Sequence, residues 1–495
     1  MKGKILRPVI IILIIVAVCA LLFSIFWPIF HKKVEASQIQ TVSIKTPDNN
    51  FTSSSIQSSN TSSERILCVD DNLDALLWRL KIINSAENKL DFVTFSFNDD
   101  RSGRDIMSAL YNAASRGVKV RMVVDGLSSF LYLKNSNYFN TLANNKNIEV
   151  KVYNPIKLLK PWRINYRMHD KYIIADNNLY ILGGRNTKNL SLGNYQEKKD
   201  IDRDVVVYNP QPFEGDSLNQ VENYFENIWQ AKCTKDYKAK KIKAGKNTVK
   251  ANGKKGKLSN EEAIIKSQEN LMAYYNNLKD DFPLTFEKIN WLEETFPVNS
   301  ITLFHNPIND GNKAPTLWAS LINLIKQGKD IIIQTPYIMC NKMMYDDLTD
   351  INNGRNVKII TNSVENGANI CGCADYLNQK KKIMKTGARI YECNGEHSSH
   401  AKTILIDDNI SVIGSFNCDM RSAYIDTELM LVIDSPELNS YLRGLNDTNI
   451  SQSRCVYPDG KITYGDNYKD KKLTAGKKAL YGFLRVVTEP VRYLL

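Results

Sequence analysis

Two segments of the sequence repeat the same set of residues with the capacity for chemistry. The first is "MHDKYIIADNNLYILGGRN", residues 168–186, and the second is "SHAKTILIDDNISVIGSFN", residues 399–417. Five pairs are each 231 positions apart: His169 and His400, Lys171 and Lys402, Asp176 and Asp407, Gly183 and Gly414, Asn186 and Asn417. Because histidine is scarce, only about 0.07 matches to the histidine, basic and acidic positions would arise by chance. The repeated pattern indicates a duplication.

These residue types suit the binding of a phosphate group. In a strand, His169 and Lys171 would point to one side, and Tyr172 and Ile174 to the other. The lysine supplies a positive charge, the asparagine amide a donor, and the glycines a close approach of the backbone. Imidazole can act as a nucleophile or as an acid–base catalyst near neutral pH. One copy has a single histidine, so two facing copies are needed to place two imidazoles around one phosphorus.

The elements around each copy predict an α/β fold made of two similar halves. Before the first copy, the apolar pattern predicts helix, strand, helix and strand in "NLDALLWRLKIINSAEN", "DFVTFSF", "RDIMSALYNAASRG" and "VKVRMVVDG". Before the second copy it predicts a helix in "TLWASLINLIKQG" and strands in "DIIIQTPYI", "VKIITNS" and "ARIYEC". Alternation of helices and strands favours a mainly parallel or mixed sheet. Ser259 and Glu262 form a capping-box pattern, which predicts a helix between the halves.

The sequence resembles the phospholipase D superfamily, whose paired H-x-K-x4-D motifs are followed by G-[GS]-x-N. Both copies are intact, and the resemblance covers most of residues 65–495. Within the superfamily the chain is most similar to the bacterial cardiolipin synthase-type phosphatidyltransferases, through the two motif segments, "YFENIW" and "DTELMLVI". The resemblance implies two pseudo-symmetric α-β-α sandwich halves that form one active site. It also implies an enzyme that uses no metal and no cofactor.

The resemblance further implies a covalent mechanism with divided roles. One histidine attacks phosphorus to give a phosphohistidine, and the other protonates the leaving alcohol and then deprotonates the acceptor. By analogy with the family, His169 is predicted to be the nucleophile. The catalytic motif residues are His169, Lys171, Asp176, His400, Lys402 and Asp407. Within this set, Asp176 and Asp407 are expected to fix local structure rather than touch substrate.

Other residues of the motif segments are predicted to support the reaction. Asn186, Asn417, Gly184 and Ser415 are predicted to bind the substrate phosphate. Asp204 and Glu428, each in the strand that follows a motif, are predicted to orient the imidazoles.

The predicted substrates are phospholipids, namely phosphatidylglycerol with a second phospholipid such as phosphatidylethanolamine. Two alternatives use the same motif: a phospholipase D that hydrolyses phospholipids to phosphatidic acid, and a phosphodiesterase or nuclease. The net charge is +12, and most of it lies in residues 232–257, which hold eleven lysines and one aspartate. A surface that coats nucleic acid would spread its positive charge more widely, so this distribution argues against one. We therefore expect no stable nucleic-acid partner. The lysine-rich run predicts attraction to an anionic membrane surface.

The N-terminal region predicts a membrane protein. Residues 8–30 form an uncharged apolar run of 23 residues, long enough to cross a bilayer as a helix. The alternative is a cleaved signal peptide, whose apolar core is shorter. A slight excess of positive charge before the run favours a cytoplasmic N-terminus, with the catalytic body outside the cell membrane.

The predicted organisation follows from these segments. It consists of an anchor (1–34), a Ser/Thr/Asn-rich tether (35–64), a first half (65–235), a lysine-rich loop and linker helix (236–285), and a second half with a C-terminal amphipathic helix (286–495).

Overall fold

The computed structural model describes residues 63–242 and 259–495, together with residues 12, 14–24, 27 and 29. The predicted tether up to residue 62 and the central part of the lysine-rich run lie outside the described residues. Residues 14–24 are helical, but the predicted membrane anchor also extends beyond what is described. Among the described residues, no helix has both the length and the apolar character needed to cross a bilayer.

The first half contains strands and helices in alternation. Its strands are β1 (Arg65–Val69), β2 (Lys89–Thr94), β3 (Lys119–Asp125), β4 (Ile148–Tyr153), β5 (Tyr172–Ala175), β6 (Leu179–Gly183), β7 (Asp200–Ile201), β8 (Asp204–Tyr208) and β9 (Thr234–Asp236). Its helices are α1 (Asn72–Ser85), α2 (Arg101–Ser115), α3 (Asn137–Ala143) and α4 (Ser217–Gln230). Short helical turns occupy Gly126–Ser128, Ser129–Leu133 and Pro161–Asn165.

The linker and second half continue the same pattern. Helix α5 (Asn260–Asp281) precedes strands β10 (Phe296–Pro297), β11 (Ser300–His305), β12 (Asp330–Gln334), β13 (Ile338–Met339), β14 (Asn356–Asn362), β15 (Arg389–Cys393), β16 (Ser398–Ser399), β17 (Thr403–Ile406), β18 (Ile410–Gly414), β19 (Cys418–Asp419), β20 (Leu429–Asp434), β21 (Ser453–Val456) and β22 (Ile462–Tyr464). The further helices are α6 (Thr316–Ile325), α7 (Lys342–Asn352), α8 (Ile370–Met384), α9 (Pro436–Ser451) and α10 (Ala475–Val487). Short turns lie at Pro283–Phe286, Trp291–Glu294, Met420–Tyr424 and Glu489–Leu494.

Over the described ranges, the two large sheets share the order of eight strands, from β1 to β9 in the first and from β11 to β21 in the second, and each has one further strand at an edge, β10 or β22. In the described residues the first runs β10-β1-β8-β6-β5-β2-β3-β4-β9, and the second runs β11-β20-β18-β17-β12-β14-β15-β21-β22. Strands β2, β3 and β4 are parallel in the first sheet, as are β12, β14 and β15 in the second. In each sheet the motif strand pairs antiparallel with the strand that follows it. The predicted mixed α/β sheet is confirmed in each half.

The hydrophobic core joins the halves. In β5, Tyr172 and Ile174 face a core that both sheets share, while Ile173 and Ala175 face the outer helices of the first half. A strand buried on both faces needs an unbroken apolar sequence, which explains the run after the first motif. The shared core includes Val205 of the first sheet and Leu431 of the second. The halves therefore pack sheet against sheet, with α4 and α9 contributing to the layer between them.

The linker helix belongs to the packing of the first half. Ser259 caps α5 with the predicted reciprocal capping box to Glu262. Leu271 and Leu278 of α5 are fully buried in the outer core of the first half. Farther along, β10 adds to the first sheet beside β1.

The two motif aspartates hold the far ends of the motif strands. Asp176 follows β5 and accepts hydrogen bonds from the backbone N–H groups of Glu87, Asn88 and Lys89 at 2.8–3.0 Å. Asp407 follows β17 and accepts from Lys329 and Asp330 at 2.8 and 2.9 Å. Both have positive φ angles, 50° and 47°, which Asp tolerates better than most residues. Their carboxylates are thus occupied by backbone at the end of the strand opposite the histidines.

We expect Asp407→Ala to reduce the free energy of unfolding by about 1–3 kcal/mol, because two backbone donors lose their acceptor. The neighbouring Asp408→Ala, at an exposed position, is the matched control and should change stability little. Denaturant unfolding of both variants makes the comparison. Equal stability of the two would contradict the structural role of Asp407.

Candidate active site

The two motif histidines lie where the halves meet. Each precedes its strand, since β5 begins at Tyr172 and β17 at Thr403; the expectation that they lie within the strands is therefore wrong by a few residues. The backbone N–H of His169 donates to Thr427 of the other half at 3.2 Å, and that of His400 donates to Ile201 at 2.6 Å. The halves are thus joined by backbone hydrogen bonds at both histidines.

Each imidazole is held by a carboxylate of the opposite half. His169 Nδ1 lies 2.9 Å from Glu428 Oε1, and His400 Nδ1 lies 2.5 Å from Asp202 Oδ2. A carboxylate at Nδ1 fixes the ring orientation and favours the tautomer with its proton on Nδ1, which leaves the Nε2 lone pair for chemistry. The His400 side chain is 22% exposed and that of His169 is 11% exposed, so both remain within reach of a substrate.

Asp202, and not the predicted Asp204, holds His400. Asp204 is fully buried and pairs with Arg79 and Arg185, each at 3.0 Å. The strand register gives the reason: Gly183 pairs with Asp204, whereas the equivalent Gly414 pairs with Met430. The residue equivalent to Glu428 is therefore Asp202, two positions before Asp204. The loop between the motif and this strand differs in length between the halves, which hides the correspondence in the sequence.

The motif lysines lie beside the imidazoles. Lys171 Nζ donates to the backbone carbonyl of His169, and Lys402 Nζ donates to that of His400. Lys402 Nζ also lies 2.7 Å from His400 Nδ1, 3.1 Å from its Nε2 and 3.7 Å from Asp202. Because both lysines are buried, their charges act at short range on any anion that reaches the histidines.

The predicted phosphate-binding residues divide into two groups. Asn186 Oδ1 accepts from the backbone of Ser96 at 3.2 Å, which leaves its amide nitrogen as the donor end. Asn417 is also buried, and its Oδ1 has no hydrogen-bond partner among the described residues. Asn417 Nδ2 donates to Ser422 Oγ at 3.5 Å, so of these two residues it is Asn186 whose amide nitrogen is available to a ligand.

Gly184 and Ser415 occupy a different place from the predicted one. A side chain at Gly184 would collide with the carboxylate of Asp202, so this glycine makes room for the acid. The equivalent Ser415 is fully buried and donates its hydroxyl to Glu428. Ser422 donates to the other oxygen of Glu428 at 2.6 Å. Ser415 thus holds a carboxylate rather than a phosphate.

Two residues that the sequence reasoning missed hold the segments before the histidines. At the end of β3, Asp125 accepts from the backbone N–H of Met168 at 3.1 Å. At the equivalent end of β14, Asn362 accepts from the backbone N–H of Ser399 at 2.8 Å and donates to its carbonyl at 2.7 Å. A polar residue at the end of a buried parallel strand was the available signal in "VVDG" and "ITNS".

The first motif has a buried contact that the second lacks. Asp170 accepts from Tyr224 Oη at 3.0 Å and from Thr427 Oγ1 at 2.9 Å. Burial, and next the charge of Glu428, raise the pKa of Asp170 to about 7. The equivalent position in the second motif is Ala401. The environments of the two histidines therefore differ although the motifs repeat.

The electrostatics of the site favour neutral imidazoles before substrate binds. Burial, followed by the charges of Lys171 and Lys402, holds the pKa of His169 well below its usual range. Burial and Lys402 lower the pKa of His400 to about 4, against the opposing effect of Asp202.

The two carboxylates that hold the histidines respond differently to burial. Burial raises the pKa of Glu428 to about 7, although Lys171 opposes this. For Asp202 burial acts in the same direction, but Lys402 and His400 outweigh it and lower the pKa. Asp202 is therefore ionised throughout the neutral range.

Residues 80–229 and 321–445 match the family described as "Cardiolipin synthase, PLD-like domain". The matched ranges make up more than half of the chain and contain both copies of the motif. The chain belongs to this family. It is accordingly an enzyme of the phospholipase D superfamily.

Similar proteins cover nearly the whole chain. An uncharacterized protein of Helicobacter pylori (strain ATCC 700392 / 26695) is 28% identical over 451 residues, which cover 84% of this chain and 85% of that protein. Cardiolipin synthase C of Escherichia coli (strain K12) is 27% identical over 481 residues, covering 86% and 95%. The crystal structure of phosphatidylserine synthase from Haemophilus influenzae Rd KW20 has the same fold, with a TM-score of 0.57, 15% identity, and coverage of 87% of this chain and 95% of that one.

The reassignment from Asp204 to Asp202 predicts two different defects. Asp202→Asn should lower kcat by about 10²–10⁴-fold, as expected when a histidine loses its orienting carboxylate, at a temperature at which the variant is still folded. Asp204→Asn should lower the free energy of unfolding by about 3–5 kcal/mol, because it weakens the counter-charge of two buried arginines. Hydrolysis of bis(p-nitrophenyl) phosphate and denaturant unfolding measure the two effects. The opposite distribution of defects would restore Asp204 as the orienting residue.

The effect of Lys402 on His400 predicts a pKa change that NMR can follow. In the wild type, the ¹³C-labelled His400 ring should titrate near pH 4, below the ordinary value of about 6.5. Lys402→Met removes a positive charge that disfavours the imidazolium, so the titration should move upward. Lys358→Met, at a partly exposed position on β14, is the control and should leave it unchanged. A downward shift in Lys402→Met would contradict the arrangement.

Proposed function

We propose that this protein is a membrane-anchored phosphatidyltransferase that makes cardiolipin from phosphatidylglycerol and a second phospholipid, through a phosphohistidine intermediate. The observation that carries the proposal is the reciprocal pairing of His169 with Glu428 and of His400 with Asp202. Two oriented imidazoles, two lysines and two asparagine amides in one interface are what a two-step displacement at phosphorus requires. The similarity to a cardiolipin synthase over nearly the whole chain supports the choice of substrate.

In the first step His169 Nε2 attacks the phosphorus of the donor lipid. The P–N bond forms as the P–O bond to the headgroup alcohol breaks, and His400 transfers a proton to the leaving oxygen. Before this transfer His400 is protonated, and the ionised Asp202 stabilises its positive charge. Binding of the anionic phosphodiester raises the pKa of His400, which lets it carry the proton.

In the second step the acceptor replaces the histidine. His400 takes the proton from the acceptor hydroxyl, whose oxygen attacks phosphorus while the P–N bond to His169 breaks. Lys171, Lys402, Asn186 and Asn417 stabilise the negative charge on the phosphoryl oxygens in both steps. A lipid hydroxyl as acceptor gives transfer, and water gives hydrolysis to phosphatidic acid.

The hydrolytic phospholipase is the second candidate, because water can enter through the same partly exposed His400. A nuclease is less well supported, since the positive charge of the sequence is concentrated in residues 232–257 instead of along a groove. The apolar run of residues 8–30 supports a location at the cell membrane, as a single-pass protein with the catalytic body outside.

A trapping experiment tests the roles of the histidines. Enzyme quenched with acid during turnover of ³²P-labelled phosphatidylglycerol should carry a phosphatidyl group on His169. The adduct should accumulate in His400→Ala, which cannot activate the acceptor, and should be absent from His169→Ala. Both variants should lose several orders of magnitude in kcat, and the double variant little more, because the two groups act on one phosphorus.

The controls separate the alternatives. His397→Ala, outside the motif, should behave as the wild type. Label on His400 alone would reverse the two roles, and phosphatidic acid as the main product would favour the phospholipase. Cleavage of single-stranded DNA without any turnover of phosphatidylglycerol would contradict the substrate class.

A further inference from the structure

Two exposed apolar segments follow neighbouring strands of the first sheet. Phe130, Leu131 and Tyr132 lie after β3 and are each about half exposed. Leu158 and Leu159 lie after β4 and are 91% and 93% exposed. We name these five residues the apolar rim. Apolar side chains exposed to this extent and grouped in one region mark an interaction surface rather than ordinary surface variation.

The apolar rim lies at the edge of the sheet that carries the active site. Strands β2, β3 and β4 are parallel, so the segments that follow β3 and β4 emerge on the same side. β5 is antiparallel to β2, and its first residue, Tyr172, pairs with Val93 near the end of β2. His169 therefore lies at the same edge as the apolar rim. The short turn Pro161–Asn165 connects Leu159 to the segment that carries His169.

The charges around the apolar rim identify its partner. Lys134, Lys157 and Lys160 are exposed and flank the two segments. A second copy of this chain would bring the same lysines against each other in a symmetric dimer. A bilayer that contains anionic phospholipid offers acyl chains to the apolar residues and phosphate groups to the lysines.

The N-terminal helical segment contacts the protein at this same place. The Trp27 and Trp162 rings lie 5.3 Å apart, and Asn165 Nδ2 donates to the carbonyl of Ser24 at 2.8 Å. Eight apolar side chains of this segment, from Ile12 to Phe23, are about half exposed. A strongly apolar helix thus meets the body within a few residues of Leu159.

We propose that the apolar rim inserts into the surface of an anionic phospholipid bilayer and brings the opening of the active site to the lipid headgroups. This inference deepens the proposed function and rests on it for the identity of the substrate. It assigns a role to residues outside the motifs, since Leu158 and Leu159 lie outside both motif segments and outside the shared core.

The first test measures contact with lipid and does not depend on activity. The test uses the full chain with Trp27→Phe and Trp162→Phe, reconstituted into phosphatidylglycerol-containing vesicles. The emission that Leu158→Trp adds over this parent should be blue-shifted and quenched by acyl-brominated lipid. Leu284→Trp is the control, at a position 73% exposed in the turn Pro283–Phe286. Phe286 of this turn lines one cavity with Asp176, at the end of β5 opposite His169. Emission from Leu158→Trp that stays red-shifted and unquenched would overturn the proposal. Shielding that depends on protein concentration, without quenching by lipid, would assign the apolar rim to a second copy and would overturn it equally.

The second test measures turnover. Leu158→Glu/Leu159→Glu should lower turnover of long-chain phosphatidylglycerol in vesicles about a hundredfold, since the burial of each of the two leucines contributes about a factor of ten. Turnover of a dispersed short-chain phosphatidylglycerol should stay within about twofold of the wild type, as should both activities of Leu284→Glu. Equal loss on both substrates, or no loss on either, would contradict docking. If the wild type uses neither lipid, the proposed function fails, while the quenching result still decides whether the apolar rim meets a bilayer.

Discussion

The hydrogen bond from each histidine to a carboxylate of the other half is the constraint on which the rest of the structure depends. Such a bond holds only if the halves keep their relative position to a fraction of an ångström. The shared core of the two sheets supplies that rigidity. Two short strand pairings, β7 with β16 and Met168 with Thr427, lie beside the histidines. They fix the backbone directly before Asp202 and Glu428. The sheet-on-sheet packing is therefore part of the active site and not only its support.

The site also has to bury several charges in a small volume. Lys171 and Lys402 bring two positive charges, and Asp202 and Glu428 bring two carboxyl groups, so the charges can largely balance. The balance is uneven because Ser415 and Ser422 solvate Glu428, while Asp202 has His400 and Lys402 as its partners. Buried charge of this kind contributes little to folding. Burial lowers the pKa of Lys171 to about 7, and the charge of Glu428 opposes this shift.

The local pattern of the sequence was sufficient to predict the helices and strands, but not the contacts between the two halves. The helices and strands predicted around both motifs are present, because each has a strong period and a clear cap or glycine at its end, such as Gly117 after α2 with φ of 102°. The Asp204 prediction failed because it compared acids by position in a strand, while the real equivalence depends on strand register. Ser415 was predicted to bind the substrate phosphate but donates to the carboxylate of Glu428. The sequence around a small polar residue in such a motif does not indicate which of these anions it binds. Asp125 and Asn362 act across about 40 residues of sequence, a separation over which one sequence alone carries no pairing signal.

The exchange of acids between halves has a consequence for how this sequence can change over evolutionary time. A duplicated domain usually frees one copy to drift, but here His169 relies on Glu428 and His400 on Asp202. A substitution that removes the acid in one half therefore impairs the histidine of the other half. Selection consequently acts on the two halves together. The loop from Gly183 to Asp202 spans 19 positions, whereas that from Gly414 to Glu428 spans 14. Divergence is thus tolerated in the length of the path to each acid, as long as the acid arrives at the same histidine.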